Sequence, residues 1–420
     1  MKVAVIGMGA RGRNYSGILT EGFQVPVVAV CDISEESLQY AAEKLGTPKD
    51  MLFTDENEFF AKGKLADVCI VSTQDIQHKE HAIKALETGY DLILEKPIAT
   101  TWEDCNAILN KAKELDRKIF VCHVMRYTPF MATIKKELES GKYGKVVTIN
   151  LTENVGYWHQ AHSYVRGPWK KAETSSPMII AKSCHDLDIL LYLIGEDCTA
   201  LSSMGSLSYF KAENAPKGAT KRCMDCPHKE TCTYSAVKYY LRERAERGYF
   251  GWPVSTMTKT ATVEAVQKGL ETTDFGKCVY YSDNNVVDHQ IVNMSFDGGI
   301  TASFTMTAFS NYMFREIAVH CDHGVIRGDM LNNKLRCYIF GEEDTTEYRE
   351  PHIVDVDNSL DNDYGHGGGD YYLLKNVVDY YNGTQKEIIS SIDKSMQSHL
   401  MGFKAEESRL KGGELIRLKG

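Results

Sequence analysis

Over the first 125 residues, short apolar runs alternate with longer amphipathic stretches. Val3–Ile6, Val27–Cys31, Asp67–Ser72, Asp91–Leu94 and Lys118–Cys122 are each four to six residues long and mostly aliphatic. Continuous apolar runs of that length fit strands buried on both faces. Lys79–Thr88, closed by Gly89, has helical spacing. The alternation predicts parallel βαβ units in a doubly wound sheet.

Past residue 125 the rhythm changes. Thr128–Ser140 reads as an amphipathic helix, Lys145–Thr152 as a strand, Leu187–Ile194 as a helix closed by Gly195, and Ala200–Tyr209 as a strand. Gln290–Phe296, Asp297-Gly-Gly299 and Ile300–Ala308 give strand, turn, strand, and Ile317–Cys321 and Lys334–Phe340 extend that sheet. Tyr371–Asn382 reads as a helix, and residues 394–411 as a helix that closes the chain. The pattern divides the chain into an α/β unit, 1–125, and a larger α+β unit, 126–420. Residues 211–275 form an insertion with its own helical run, Ala236–Glu246.

Composition narrows the function classes. Hydrophobic residues at 43% and charged residues at 25% are globular proportions. A net charge of −9 argues against nucleic acid as a partner, because phosphate contacts need a basic surface. No run approaches the ~20 apolar residues of a membrane span, so no membrane partner is expected. The N-terminus leads directly into a strand, which leaves no signal peptide. Twelve cysteines without one are expected to be reduced thiols, and the expected location is the cytoplasm.

The first strand runs straight into Gly7-Met-Gly9-Ala-Arg-Gly12 and a helix-compatible segment. In this context G-x-G-x-x-G is a dinucleotide loop. Gly7 makes the tight turn, Gly9 lets the backbone approach a pyrophosphate, and Gly12 lets the helix pack closely on the strand. Asp32 ends the second strand, 20 residues after Gly12, where a carboxylate accepts hydrogen bonds from a ribose. It repels the extra phosphate of NADP, so the expected cofactor is NAD. Arg11 and Arg13 soften that repulsion, and Arg11 is counted among the cofactor-binding residues. Ser72, Thr73, His78, Glu95, Lys96, His123 and Arg126 follow strand ends, the side of such a sheet on which ligands bind.

Glu95-Lys96-Pro97 stops a strand and holds a lysine where it can exchange a proton with a substrate hydroxyl. Taken with the glycine loop, Ser72-Thr73 followed by His78, Arg126-Tyr127-x-Pro129 and His185-x-x-Asp188, it resembles the Gfo/Idh/MocA family of NAD(P)-dependent oxidoreductases. The resemblance implies a Rossmann domain followed by a large, open, mostly antiparallel sheet. It also implies sugar, glycoside or polyol substrates, assembly as a homodimer or homotetramer, and a catalytic pair formed by Lys96 and His185. One departure stands out. Family members often carry a carboxylate four residues before the histidine, and this chain has Ala181, followed by Lys182. If the segment is helical, Lys182, His185 and Asp188 share a face. Asp188 is then expected to orient His185, and Lys182 to contact substrate or tune the pair.

Further substrate contacts are expected from Arg126 and Tyr127, and from the loop-like stretch Gly156–Trp169, which supplies Tyr157, Trp158, His159, His162, Ser163, Arg166 and Trp169. Aromatic faces suit the C–H face of a sugar, and the polar groups suit its hydroxyls. The loop Asp361–Asp370 adds His366 among glycines. The alternative for each is a core anchor or a solvated side chain. Cys223, Cys226 and Cys232 have spacing suited to structural zinc, with free thiols as the alternative. The leading function is NAD-dependent hydride transfer at a sugar, glycoside or polyol carbon. A redox-assisted glycosidase and a non-catalytic NAD-responsive regulator are the alternatives.

Overall fold

The structure, a computed structural model, describes residues 1–342, 350–357, 359 and 364–418. Six parallel strands form the first sheet: β1 (Val3–Ile6), β2 (Val27–Cys31), β3 (Leu52–Phe53), β4 (Val68–Val71), β5 (Asp91–Leu94) and β6 (Ile119–Val121). Their spatial order is β3-β2-β1-β4-β5-β6. All residues of β1 and β4 are buried, as their continuous apolar runs require between two layers of helices. The order reverses between β1 and β4, which opens a crevice at their carboxyl ends. The glycine loop and Ser72-Thr73 emerge there.

The second sheet has nine strands. They are β7 (Val146–Asn154), β8 (Cys198–Ser206), β9 (His289–Phe296), β10 (Thr301–Thr307), β11 (Phe314–Cys321), β12 (Gly324–Asp329), β13 (Lys334–Ile339), β14 (His352–Asp355) and β15 (Ile416–Arg417). The order is β14-β13-β12-β11-β7-β10-β9-β8-β15, and only β10 with β7 is parallel. Alternation decides its faces. Gln290, Val292, Met294 and Phe296 of β9 are buried, while Ile291, Asn293 and Ser295 are exposed. The buried face packs on the helices Met178–Ala181, Cys184–Ile194 and Ile392–Leu410. The last of these also reaches β6 and the helix Trp102–Glu114, so it touches both sheets' units.

Several elements differ in extent from the sequence pattern. Residues 236–246 are not one helix: a wide-turn segment, Val237–Arg242, is followed by a short turn, Ala245–Arg247. The stretch after Gly156 is helical, Tyr157–His159 and then Gln160–Arg166, where a loop was expected. Its buried residues satisfy their backbone groups within the turns, which an irregular buried loop could not do. The inserted region has its own apolar core around Ala236, Tyr240, Val266 and Leu270. Residues 361–363 of the glycine-rich loop lie outside the described residues. Among the described residues no helix is long and apolar enough to cross a membrane.

Phe304 is fully buried in β10, opposite Leu151 on one side and Val292 on the other. Phe304→Ala should destabilise by about 3–5 kcal/mol, read as a lowered thermal midpoint. An unchanged midpoint would contradict its burial between sheet and helices.

Candidate active site

The glycine loop is shaped by contacts a side chain could not share. Gly7 has φ +89°, and a Cβ there would lie 2.7 Å from the Ser72 carbonyl carbon. A Cβ on Gly12 would lie 2.1 Å from the Gly7 oxygen. A Cβ on Gly9 would meet nothing within 4 Å, so the loop leaves open space over the N-terminus of the helix Ala10–Gly17. That space fits a pyrophosphate. Ser72 Oγ donates to the Gly7 carbonyl at 2.8 Å. Asp32 accepts from the Met8 N–H at 2.6 Å and the Ser34 N–H at 2.8 Å, which holds its carboxylate beside the loop.

Around this crevice some expected ligand contacts are instead internal braces. Arg11 Nε donates to Glu95 at 2.7 Å, and its two terminal nitrogens donate to Asp370 at 2.9 and 2.7 Å. With those bonds made, its guanidinium orients Glu95 and Asp370. Glu95 also accepts from Tyr15 Oη at 2.8 Å and from the Lys96 N–H at 2.9 Å. Burial acts to raise the pKa of Glu95, but Arg11, Lys96 and these hydrogen bonds outweigh it and hold the carboxyl below its usual range. The two ring nitrogens of His78 face the carbonyls of Pro97 at 2.7 Å and Thr73 at 3.2 Å, bridging the two strand ends. Thr73 Oγ1 is 2.9 Å from His81 Nδ1, and the other ring nitrogen of His81 contacts Glu56.

Lys96 precedes a cis peptide bond to Pro97, and its Nζ donates to the Ala181 carbonyl at 2.9 Å. That carbonyl is available because one helix ends at Ala181 and the next begins at Cys184. The break overturns the expected shared helical face. Lys182 lies between the helices and pairs with Glu153 at 3.0 Å. Glu153 also pairs with Arg315 at 3.0 Å, and Arg315 binds Asp186 at 2.6 Å. Asp188 does not orient His185. It takes Arg126 through two 2.6 Å bonds, because that buried guanidinium has no other carboxylate partner among the described residues. Arg126 also donates to the carbonyls of Ile389 at 2.9 Å and Lys394 at 3.2 Å, so four of its five N–H groups are engaged within the protein. Tyr127 Oη is likewise engaged with Ser390 at 2.9 Å and Asn376 at 3.2 Å.

His185 lies in a cluster of imidazoles. Its ring centroid is 5.9 Å from His123 and 6.2 Å from His366, and its Nδ1 is buried without a hydrogen-bond partner. His366 Nδ1 lies 3.2 Å from both Asp370 oxygens. Burial, then the charge of Lys96, then His123 and His366 hold the His185 pKa well below its ordinary value. Burial and then Arg126 and Lys96 do the same for His123, whose two nitrogens have no hydrogen-bond partner. His399, on the closing helix, accepts from the Ile98 N–H at 2.9 Å and faces the Ser395 carbonyl at 3.0 Å. Burial brings its pKa to about 3. Lys96 therefore sits among imidazoles that burial holds neutral.

The stretch 157–169 splits in two. Trp158 stacks on Tyr239 at 5.4 Å, and Trp158 and His159 meet Trp252 edge-on at 5.6 and 5.4 Å. Tyr157 meets Tyr234 at 5.9 Å. The rest is structural. His162 is bonded to Tyr240 at 2.6 Å and stacked on Phe275, Arg166 donates to the carbonyls of Lys277 and Tyr234, Ser163 is buried, and Trp169 packs on the main core. Cys223, Cys226, Cys232 and Cys278 line one small cavity. Among the described residues, however, no group of three His, Cys, Asp or Glu side chains could hold a metal ion. The zinc expectation is not supported, and the thiols are free, packed in and beside the core of the insertion. Sequence reasoning missed His399, Trp252 and the Arg11–Asp370 brace. Their partners are remote in the chain, and no local spacing marks them.

A family model described as "Oxidoreductase family, NAD-binding Rossmann fold" matches residues 1–123, and its companion, "Oxidoreductase family, C-terminal alpha/beta domain", matches residues 135–413. The chain is 24% identical over 325 residues to a Bacillus subtilis oxidoreductase, YteT, covering 74% of this chain and 72% of that one. It is 30% identical over 196 residues to the 2,7-anhydro-N-acetylneuraminate hydratase of Mediterraneibacter gnavus, covering 46% of this chain and about half, 49%, of that one. Among solved structures it is similar to the WlbA dehydrogenase of Bordetella pertussis in complex with NADH and UDP-GlcNAcA. That likeness has a TM-score of 0.68 and 17% identity, and covers 100% of this chain and 98% of the other.

The depressed histidines give the folded protein a pH dependence. A buried neutral imidazole binds fewer protons folded than unfolded, so its stabilisation is complete above the unfolded pKa of about 6.5. It is lost as pH falls below that value, at up to about 1.4 kcal/mol per pH unit for each group. The thermal midpoint should fall from pH 7 to pH 5. His123→Phe, which removes one such group and no hydrogen bond, should make the fall shallower, and an unchanged slope would refute the neutral assignment of His123.

Proposed function

The chain belongs to the Gfo/Idh/MocA family of oxidoreductases, and on that premise we propose that it transfers a hydride between NAD and a hydroxyl-bearing carbon of a sugar, glycoside or polyol. The observation that carries this reading is the convergence of the Lys96 ammonium and the His185 segment at the crevice: Lys96 Nζ is bound to the carbonyl four residues before His185. NAD, when bound, supplies the hydride acceptor, with Gly7, Gly9 and Gly12 around its pyrophosphate and Asp32 toward a ribose.

The substrate hydroxyl hydrogen-bonds to Lys96 and His185. Its proton passes to the His185 imidazole, which burial and the neighbouring ammonium hold unprotonated before the substrate arrives. Lys96 stabilises the negative charge that grows on the oxygen as its proton departs, and that charge is drawn into the new C=O bond as the hydride leaves the carbon for NAD. Ala181 is uncharged where many relatives have a carboxylate, so its carbonyl orients Lys96 without neutralising it. Lys96→Ala should lower turnover at least a hundredfold, followed as NADH absorbance at 340 nm with a panel of sugars and polyols, while NADH binding by fluorescence is retained. Full activity in the variant would overturn the assignment.

A second reading is favoured by the relative named a hydratase, an activity without net oxidation. Here bound NAD would take a hydride from a ring carbinol while the same pair takes the hydroxyl proton, an aglycone would be eliminated, water would add, and the NADH formed would return the hydride to the ring. His366, His159 and Tyr157 are the groups available for the extra proton transfers, whereas the Tyr127 hydroxyl is already engaged. Release of p-nitrophenol from an aryl glycoside without net NADH would support this reading. NADH formed one-for-one with substrate, without bond cleavage, would exclude it.

A further inference from the structure

Beyond the Lys96–His185 crevice, the insertion builds a second recess of about 510 Å³, lined by Glu243, Arg244, Arg247, Tyr249, Gly251 and Trp252. That volume is in the range of a small-ligand site. Tyr249 and Trp252 are 66% and 48% exposed, which is unusual for rings of this size and leaves part of each ring open to a ligand. The Trp252 ring also meets His159 at 5.4 Å. His159 in turn feels the charges of Lys182 and His366, which border His185. Its Nδ1 is buried without a hydrogen-bond partner. His159 is therefore the link between Trp252 at the rim of the recess and the groups around His185.

The charges in the recess are arranged for an anion. The Arg244 guanidinium lies over the Tyr239 ring at 3.5 Å and donates to the Tyr239 carbonyl at 2.9 Å, which fixes its plane and leaves further N–H groups unengaged. Arg247 is exposed, and among the described residues no carboxylate lies within ion-pair distance of it. Glu243 sits 3.9 Å from Arg244 and 4.0 Å from Lys238, so the lining keeps one net positive charge.

We propose that this recess is a subsite for a carboxylate-bearing saccharide unit, which makes the substrate of the redox site an acidic glycoside or oligosaccharide. The sugar's C–H face stacks on Trp252, and its carboxylate takes the guanidinium groups of Arg247 and Arg244, whose planar donors match two oxygens. One net positive charge suits a monoanionic carboxylate and is poor for a dianionic phosphate, which Glu243 repels. The substrate class rests on the oxidoreductase reading above, but binding in the recess does not.

The test is calorimetric titration of the NAD-loaded protein with disaccharides ending in glucuronate or galacturonate, each against its neutral counterpart, beginning with cellobiouronic acid and cellobiose. At least one acidic member should bind ten times more tightly than its counterpart at low salt, and the advantage should shrink as ionic strength rises. Arg247→Ala, a change at an exposed side chain, should cut that ratio to below threefold, and Arg247→Lys should restore part of it. Equal binding of both series, a ratio that survives Arg247→Ala, or tighter binding of glucose 1-phosphate than of any uronate would overturn the subsite. Absorbance at 340 nm in parallel separates the two readings: a retained acidic preference with no sugar oxidised counts against the redox function and leaves the subsite standing.

Discussion

One guanidinium holds the candidate site together. Arg126 follows the last strand of the parallel sheet and is buried where the two sheets' units meet. It binds Asp188 through two nitrogens and the carbonyls of Ile389 and Lys394 through its remaining donors. Asp188 lies one helical turn after His185, so fixing the carboxylate fixes the rotation of that helix and with it the imidazole. Ile389 and Lys394 flank the start of the closing helix, and His399 on that helix holds the Ile98 N–H two residues after Lys96. The same guanidinium thus registers both halves of the proposed catalytic pair, although it touches neither. A buried pair is costly to desolvate and severe to break, about 3–5 kcal/mol when one partner is lost. In this molecule the cost is offset by geometry, since nearly every donor of Arg126 has an acceptor.

The electrostatics of the site follow from where charge is left unpaired. Glu95, Asp370 and Asp188 are bound to arginines, and Glu153 is shared by Lys182 and Arg315. Their charge is spent before it reaches the crevice. Lys96 is the exception, because its hydrogen-bond partner is a carbonyl. An ammonium with a neutral acceptor keeps its field, and that field, after burial, is the next cause holding His185 neutral. A positive charge and a neutral imidazole therefore stand side by side, the first helping to hold the second uncharged.

Local chemistry was legible in the sequence, and long-range partnership was not. The glycine loop could be read because its turn, cradle and close contact are set by residues within six positions of one another, and Gly7, Gly9 and Gly12 serve those three ends. The buried strands were legible from continuous apolar runs, and the antiparallel sheet from alternation. Spacing failed where a partner came from elsewhere. Asp188 at three residues from His185 looked like its orienting acid, but Arg126, 62 residues earlier, forms the stronger contact. Lys182 looked helical with its neighbours, yet the helix breaks there and frees a carbonyl for Lys96. Arg11, His162 and Arg166 carried the right chemistry for ligands but were drawn into buried hydrogen bonds. Composition around Cys223 suggested a metal, whereas the thiols are packed in and beside an apolar core.

The insertion changes what the site can recognise more than what it can do. In the proposed reaction Lys96 and His185 would move the proton and the glycine loop would hold the cofactor, and all three lie in the two sheets' units outside residues 211–275. What that region adds is Trp252 against His159 and the arginines beyond it, on elements with a core of their own. Chemistry placed on a rigid pair of sheets and selectivity placed on a separately packed insertion can vary independently, because changing Arg247 or Trp252 disturbs neither the Arg126 clasp nor the contact of Lys96 with Ala181.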